Sequence, residues 1–120
     1  MPIVKVYGIP QGTDHLSSLI LTLQEKITGV AALGVTKEQV TVLFPMDLCQ
    51  VGLGEELIAE FVGLFDKPER THEVLGHLAQ TVNQVLINFA AKNLEQCKFC
   101  ETIVPVFDQT RGGYASGTRP

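Results

Sequence analysis

The chain has 120 residues, of which 45% are hydrophobic, and its net charge of −4 arises from 9 basic and 13 acidic residues. This length allows one hydrophobic core, so we expect a single domain over residues 1–120. The basic residues form no cluster and no apolar run is long enough to cross a bilayer, which argues against a nucleic-acid or membrane partner.

The cysteines and the N-terminal segment bear on the cellular compartment. Cys49, Cys97 and Cys100 are an odd number of thiols in a chain that is large enough to fold without disulfides. The N-terminal segment also lacks the basic region, apolar stretch and cleavage site of a secretory leader. We therefore expect a cytoplasmic protein with reduced thiols.

The first half of the chain predicts a strand, a helix and a second strand. The segment PIVKVYG alternates its side chains as a strand does, and a proline at the first position of a strand removes no ladder hydrogen bond. Apolar residues then recur at helical spacing in HLSSLILTLQEKI, where Thr13 or Asp14 can cap the helix. QVTVLFP is a β-branched run that ends at Pro45, and Gly52 and Gly54 supply a turn after it.

The second half predicts the same order of elements. ELIAEFVGLF is the third strand, KFCETIVPVF is the fourth, and a long helix between them has a cap at Thr71 and apolar positions from Val74 to Phe89. The two halves match in pattern, which indicates a duplicated βαβ unit with repeat 1 at about 2–54, repeat 2 at about 55–110 and a tail at 111–120.

The predicted fold class is α/β (α+β), with a four-stranded mixed sheet and two helices. Right-handed crossovers place both helices on one face of the sheet, while Ile3, Tyr7, Leu43, Ile58 and Ile103 leave the other face apolar. An oligomer in which sheets pack together would cover that face. The same order of elements also suits a ferredoxin-like fold, in which an antiparallel sheet serves a small-molecule binding or assembly module.

Several of these segments resemble the tautomerase superfamily. The resemblance lies in the strand PIVKVYG, in VTVLFPMDLCQVGLGEE with its glycine-bearing hairpin, and in the helix start ERT. It is similar to 4-oxalocrotonate tautomerase and, in its fused length, to the macrophage migration inhibitory factor and malonate semialdehyde decarboxylase branches. The resemblance implies a homotrimer without cofactor or metal, in which an N-terminal proline acts as general base on a small 2-oxo or unsaturated carboxylic acid.

Pro2 is the residue that carries this chemistry. Removal of Met1 would turn the Pro2 nitrogen into a secondary amine on a rigid strand. A free α-amine titrates near pH 7.7 to 8, and an apolar pocket or a nearby cation lowers its pKa, so the amine would be a free base at neutral pH. The reaction also needs a cation or hydrogen-bond donor for the substrate carboxylate and the developing enolate oxygen.

Arg70 is the predicted cation, since PERTHE matches the helix-start arginine of the small tautomerases. We expect it to hold the substrate carboxylate from an adjacent subunit. Lys37, Arg111 and Tyr114 are further candidates for substrate binding, the last two from a neighbouring subunit. The sequence departs from the family pattern at Gly12 and Thr41, where the small tautomerases carry arginines. Retained activity and an inactive tautomerase-fold trimer both remain open, and Arg70 could instead pair with Glu69 or Glu73 on an exposed helix end.

The motif CKFC has the spacing of a dithiol or half a metal site. On a strand, residues three positions apart point to opposite faces, so we predict that Cys97 and Cys100 diverge and bind no metal.

Overall fold

A computed structural model describes residues 2–46 and 55–120. Its main elements, in chain order, are β1 (Ile3–Tyr7), α1 (Leu16–Thr28), β2 (Thr41–Leu43), β3 (Glu56–Val62), α2 (His72–Asn93) and β4 (Phe99–Ile103). Single-turn 3₁₀ helices at Ala31–Leu33 and Lys37–Gln39 lie between α1 and β2. The predicted hairpin VGLGEE begins outside the described residues, and Cys49, Gly52 and Gly54 lie there too.

The four strands form one mixed sheet in the order β2-β1-β3-β4. β1 pairs with β2 and β3 pairs with β4 in parallel, while the two central strands, β1 and β3, are antiparallel. The predicted fold class is therefore confirmed. The ferredoxin-like alternative is wrong, because that fold has an antiparallel sheet and this one contains two parallel βαβ pairs.

The hydrophobic core lies between the sheet and its two helices. Val4 and Val6 on β1 and Leu57, Ala59 and Phe61 on β3 are buried beneath the helices. The helices contribute a matching stripe at helical spacing, which consists of Leu19, Leu23 and Ile27 on α1 and Leu78, Val82, Val85, Leu86, Phe89 and Ala90 on α2. No helix within the described parts of the chain has the length and apolar character needed to cross a membrane.

The other face of the sheet has no covering layer in the single chain, and we call it the open face. Because side chains alternate along a strand, the partners of the core residues point here. Several are large and apolar with more than a third of their surface exposed, namely Tyr7, Leu43, Val62, Phe99 and Ile103. The prediction of an apolar second face is therefore confirmed.

The two helices begin differently. α2 begins as predicted, with the Thr71 side chain accepting a hydrogen bond from the Val74 amide at 3.3 Å. The predicted cap of α1 at Thr13 or Asp14 is wrong, because the residue before α1 is His15, which has a φ of 67° and makes no capping bond. The Thr13 hydroxyl instead donates to the carbonyl of Pro10 at 2.6 Å and closes a turn before the helix.

The structure also corrects the prediction for the two C-terminal thiols. β4 begins at Phe99, so Cys97 lies in the turn after α2, where strand alternation does not apply. The Cys97 amide donates to the Leu94 carbonyl at 3.0 Å, and this turn brings the two sulfur atoms to 3.9 Å. Cys97 and Cys100 therefore converge.

Candidate active site at the Pro2 end of the sheet

The strand directions bring the sequence-predicted site residues to one end of the sheet. β1 and β2 begin at this end, where Ile3 pairs with Thr41, and β3 ends there, where Val62 pairs with Ile3. β4 is parallel to β3 and ends at the same side. We call this the Pro2 end, and it receives Pro2, Lys37 before β2, Arg70 after β3, and Arg111 and Tyr114 after β4.

Pro2 is buried immediately before the central strand β1. Its carbonyl accepts a hydrogen bond from the Thr41 amide at 3.1 Å, which holds the residue against the start of β2. A proline at this position removes no donor from the ladder, because the pairing of β1 begins at Ile3. The backbone of Pro2 is thus anchored, and its nitrogen is the atom that removal of Met1 would turn into an amine.

Arg70 is buried, with 8% of its surface exposed. One terminal nitrogen donates to the Phe65 carbonyl at 2.7 Å and the other to the Leu33 carbonyl at 3.0 Å, while Nε is buried without a partner among the described residues. The guanidinium therefore joins the loop after α1 to the loop after β3. The alternative in which Arg70 pairs with Glu69 or Glu73 on an exposed helix end is wrong, because the guanidinium is buried and donates to two backbone carbonyls.

The segment after β4 folds back onto the loop that holds Arg70. Phe107 forms a bridge with Phe65, in which the Asp66 amide donates to the Phe107 carbonyl at 2.9 Å and the Phe107 amide donates to the Leu64 carbonyl at 2.7 Å. The ring of Phe65 then packs edge-on against Tyr114, with 4.7 Å between centroids. Phe65 therefore links Tyr114 to Arg70, a contact between loops that the sequence pattern did not predict.

Two predicted binding residues reach solvent. Lys37 is exposed on the 3₁₀ helix that precedes β2, and the capping box of Thr36 and Gln39 fixes that helix. Arg111 is exposed in a turn, in which its amide donates to the Asp108 carbonyl at 3.2 Å. Hydrogen bonds from Thr110 hold the pKa of the Asp108 carboxyl below its usual value, so this turn keeps a negative charge beside Arg111 in the chain.

The positions where the small tautomerases carry arginine lie apart in this fold. Gly12 lies in the loop that leads from β1 to α1, at the far end of the sheet, while Thr41 begins β2 at the Pro2 end. Arg70 is thus the buried cation of the described Pro2 end.

Two surface clefts lie elsewhere on the molecule. A groove of about 580 Å³ runs between α1 and α2, lined by His15, Ser18, Lys26 and Lys92 among others, and a cleft of about 750 Å³ lies between the starts of β3 and β4. None of the predicted site residues lines either cleft. Within residues 2–46 and 55–120, no group of three or more His, Cys, Asp or Glu side chains is arranged to hold a metal ion.

Comparison with known proteins finds matches among solved structures. No protein-family model matches the chain, and no curated protein matches its sequence. Among solved structures, a wild-type fused 4-OT symmetric trimer aligns with a TM-score of 0.64 at 17% identity, over 97% of this chain and 94% of that chain. The chain has the tautomerase-superfamily fold.

Two further structures share the tautomerase fold with this chain. Pt0534, solved after inactivation by 2-oxo-3-pentynoate, aligns with a TM-score of 0.59 at 13% identity, over 96% of this chain and 93% of that chain. Malonate semialdehyde decarboxylase aligns with a TM-score of 0.55 at 14% identity, over 97% of this chain and 92% of that chain. The sequence resemblance to the superfamily is therefore confirmed for the fold.

Proposed function

We propose that the chain is a tautomerase-superfamily isomerase that moves a proton on a small 2-oxo or unsaturated carboxylic acid, with the Pro2 nitrogen as general base. The observation that carries the proposal is the convergence, within a tautomerase fold, of a buried proline and a buried arginine at one end of the sheet. Pro2 and Arg70 are the catalytic pair of this proposal.

Burial of Pro2 accounts for the unprotonated state of its nitrogen at neutral pH in this proposal. Once Met1 is removed, the nitrogen is an amine, and burial disfavours the protonated form and lowers its pKa. The amine is then a free base at neutral pH and accepts a proton from the acidic carbon or from the enol oxygen of the substrate. The same nitrogen returns the proton to the other position, so no net proton is consumed.

Arg70 offers the complementary charge. Both of its hydrogen-bond partners, the carbonyls of Leu33 and Phe65, are neutral, and Nε has no partner in the described structure. A guanidinium has five N–H donors, so a substrate carboxylate can bind to those that remain and supply the opposite charge. Tyr114, Arg111 and Lys37 complete the substrate-binding group in this proposal.

A homotrimer is the proposed assembly, acting in the cytoplasm. Its support is the apolar open face together with the fold shared with fused 4-OT proteins that were solved as symmetric and asymmetric trimers. Packing of open faces in the trimer would remove the exposed apolar side chains from water, and an adjacent subunit would close the pocket at the Pro2 end.

The decisive experiment follows ketonisation of the enol form of a 2-oxo acid by protein whose loss of Met1 has been verified by intact mass. Pro2→Ala should lower kcat by about 10²-fold or more, because the general base is lost. Arg70→Ala should mainly raise KM, because the carboxylate loses its cation. Unchanged activity of Pro2→Ala would show that Pro2 is not the general base, and Met-free protein without activity on any such acid would remove the enzyme proposal.

Two controls separate chemistry from folding. Arg119→Ala changes an exposed arginine in the tail and should leave both kinetic constants unchanged. Because Arg70 is buried, its variants also need a thermal unfolding curve. Compared with Arg70→Ala, Arg70→Lys should regain part of the substrate affinity through its charge, but it should not restore both hydrogen bonds to the Leu33 and Phe65 carbonyls.

A second candidate function is a catalytically inactive trimer that binds small acids. It is favoured by the absence of arginine at Gly12 and Thr41 and by the engagement of Arg70 with two backbone carbonyls. Calorimetric titration of Met-free protein with a 2-oxo acid distinguishes the two, since this candidate requires binding without turnover.

A further inference from the structure

Cys97 and Cys100 form a close dithiol at the end of the sheet opposite Pro2. Their sulfur atoms are 3.9 Å apart, and both side chains are partly buried against the hydrophobic core. Cys100 lies on β4 opposite the buried Leu57, so it faces the helix layer. Cys97 reaches it from the turn that follows α2.

The backbone on both sides of the pair is anchored. The Cys97 amide is bound to the Leu94 carbonyl at 3.0 Å, and the Lys98 amide is bound to the Glu55 carbonyl at 2.9 Å. From Phe99 onward the chain is paired with β3. The fold therefore holds the two thiols near each other, whereas an unfolded chain would bring them together only transiently.

We propose that Cys97 and Cys100 are a modification site that forms a reversible intramolecular disulfide by exchange with a low-molecular-weight disulfide such as oxidised glutathione. A disulfide bond has a sulfur separation of about 2.05 Å, so closure requires the sulfurs to approach by a further ~2 Å. Rotation of side chains at the end of a turn can supply this movement. The site is separate from the proposed active site.

The exchange has two steps. The Cys97 thiolate attacks one sulfur of the small disulfide, which forms a mixed disulfide and releases one small thiolate. Cys100 then attacks the Cys97 sulfur and displaces the second small thiolate. The two protein thiols are oxidised, the small disulfide is reduced to two thiols, and the two cysteine protons end on those thiols.

The environment of Cys100 supports this order of attack. Burial, with a smaller contribution from neighbouring Cys97, raises the pKa of the Cys100 thiol to about 11. Cys100 is therefore a thiol at neutral pH and reacts slowly with an external disulfide. Once Cys97 is part of the mixed disulfide, it no longer contributes to the raised pKa of Cys100. Cys100 then loses its proton more readily, which favours the second step.

The test uses the full chain with Cys49→Ser, which leaves only the proposed pair. After equilibration in glutathione buffers containing a metal chelator, acid quenching and intact mass, this protein should lose the mass of two hydrogens and both titratable thiols. With Cys100→Ser added, a stable glutathione adduct should form on Cys97. With Cys97→Ser added instead, the adduct should form more slowly because Cys100 is protonated.

A comparison in urea tests the contribution of the fold. At a fixed glutathione ratio, the ratio of disulfide to dithiol should be at least about tenfold higher in native than in unfolded protein, because the fold raises the effective concentration of the thiols. Equal ratios, stable double adducts or disulfides formed only between chains would overturn the proposal. Stoichiometric zinc held by both cysteines in protein purified without chelator would also overturn it, in favour of a metal site.

Discussion

At the residue scale, Gly8 and Gly12 share a left-handed backbone conformation but differ in what surrounds them. Both have a positive φ, 96° at Gly8 and 83° at Gly12, a region that glycine enters without strain. A Cβ at Gly8 would overlap the Glu56 carbonyl oxygen, whereas a Cβ at Gly12 would have no neighbour within 4 Å. Gly8 therefore permits the close approach of β1 and β3, and Gly12 permits only a turn.

Alanine at the two positions should separate these effects. Gly12→Ala should lower the free energy of unfolding by about 1 kcal/mol, the cost of a left-handed conformation. Gly8→Ala should lower it by about 3 kcal/mol, because the strand pair must also move apart. Urea unfolding curves of both variants provide the measurement. Equal losses would show that the contact with the Glu56 carbonyl does not constrain the strands.

At the element scale, the beginnings of the two helices have different chemical support. Thr71 caps α2 by accepting a hydrogen bond from Val74, whereas α1 begins after His15 without a side-chain cap. Thr71→Ala should therefore lower the free energy of unfolding by about 1 kcal/mol. Asp14→Ala, at the cap position that the sequence pattern suggested, should change it by less than about 0.5 kcal/mol. Chemical denaturation checks both values, and a larger loss at Asp14 would restore the original cap assignment.

At the scale of the whole molecule, the open face is the feature that a single chain leaves unexplained. Tyr7 donates to the Glu60 carboxylate at 3.2 Å on this face, and burial followed by the charge of Glu60 raises the pKa of the Tyr7 hydroxyl. Polar pairs of this kind can remain satisfied when an interface forms around them. The proposed trimer would therefore enclose both apolar side chains and this hydrogen bond.

A matched pair of substitutions tests the proposed trimer. Ile103 on the open face and Leu21 on α1 are 45% and 46% exposed. Ile103→Lys should convert trimer to monomer at micromolar concentration, because it places a charge within the interface, and Leu21→Lys should leave the trimer intact. Light scattering coupled to size exclusion measures the mass. A monomeric parent protein, or equal effects of both variants, would refute an interface on this face.

The periodicities of the sequence by themselves determined the elements and much of their arrangement. Alternation marked β1 and β3, helical spacing marked both helices, and the repetition of strand, helix and strand predicted a mixed sheet with one covered and one apolar face. These properties depend on patterns that are local or repeated, so a sequence displays them directly.

Only the tertiary structure decided how particular side chains are engaged. Arg70 is buried because a carbonyl 37 positions earlier, that of Leu33, accepts its hydrogen bond, and no periodicity reports such a contact. Cys97 and Cys100 converge because a turn precedes β4, although strand alternation over the same residues would have separated them. The physical reason is common to both: a pattern shows which face a residue occupies within an element, whereas contacts between loops depend on where separate segments meet.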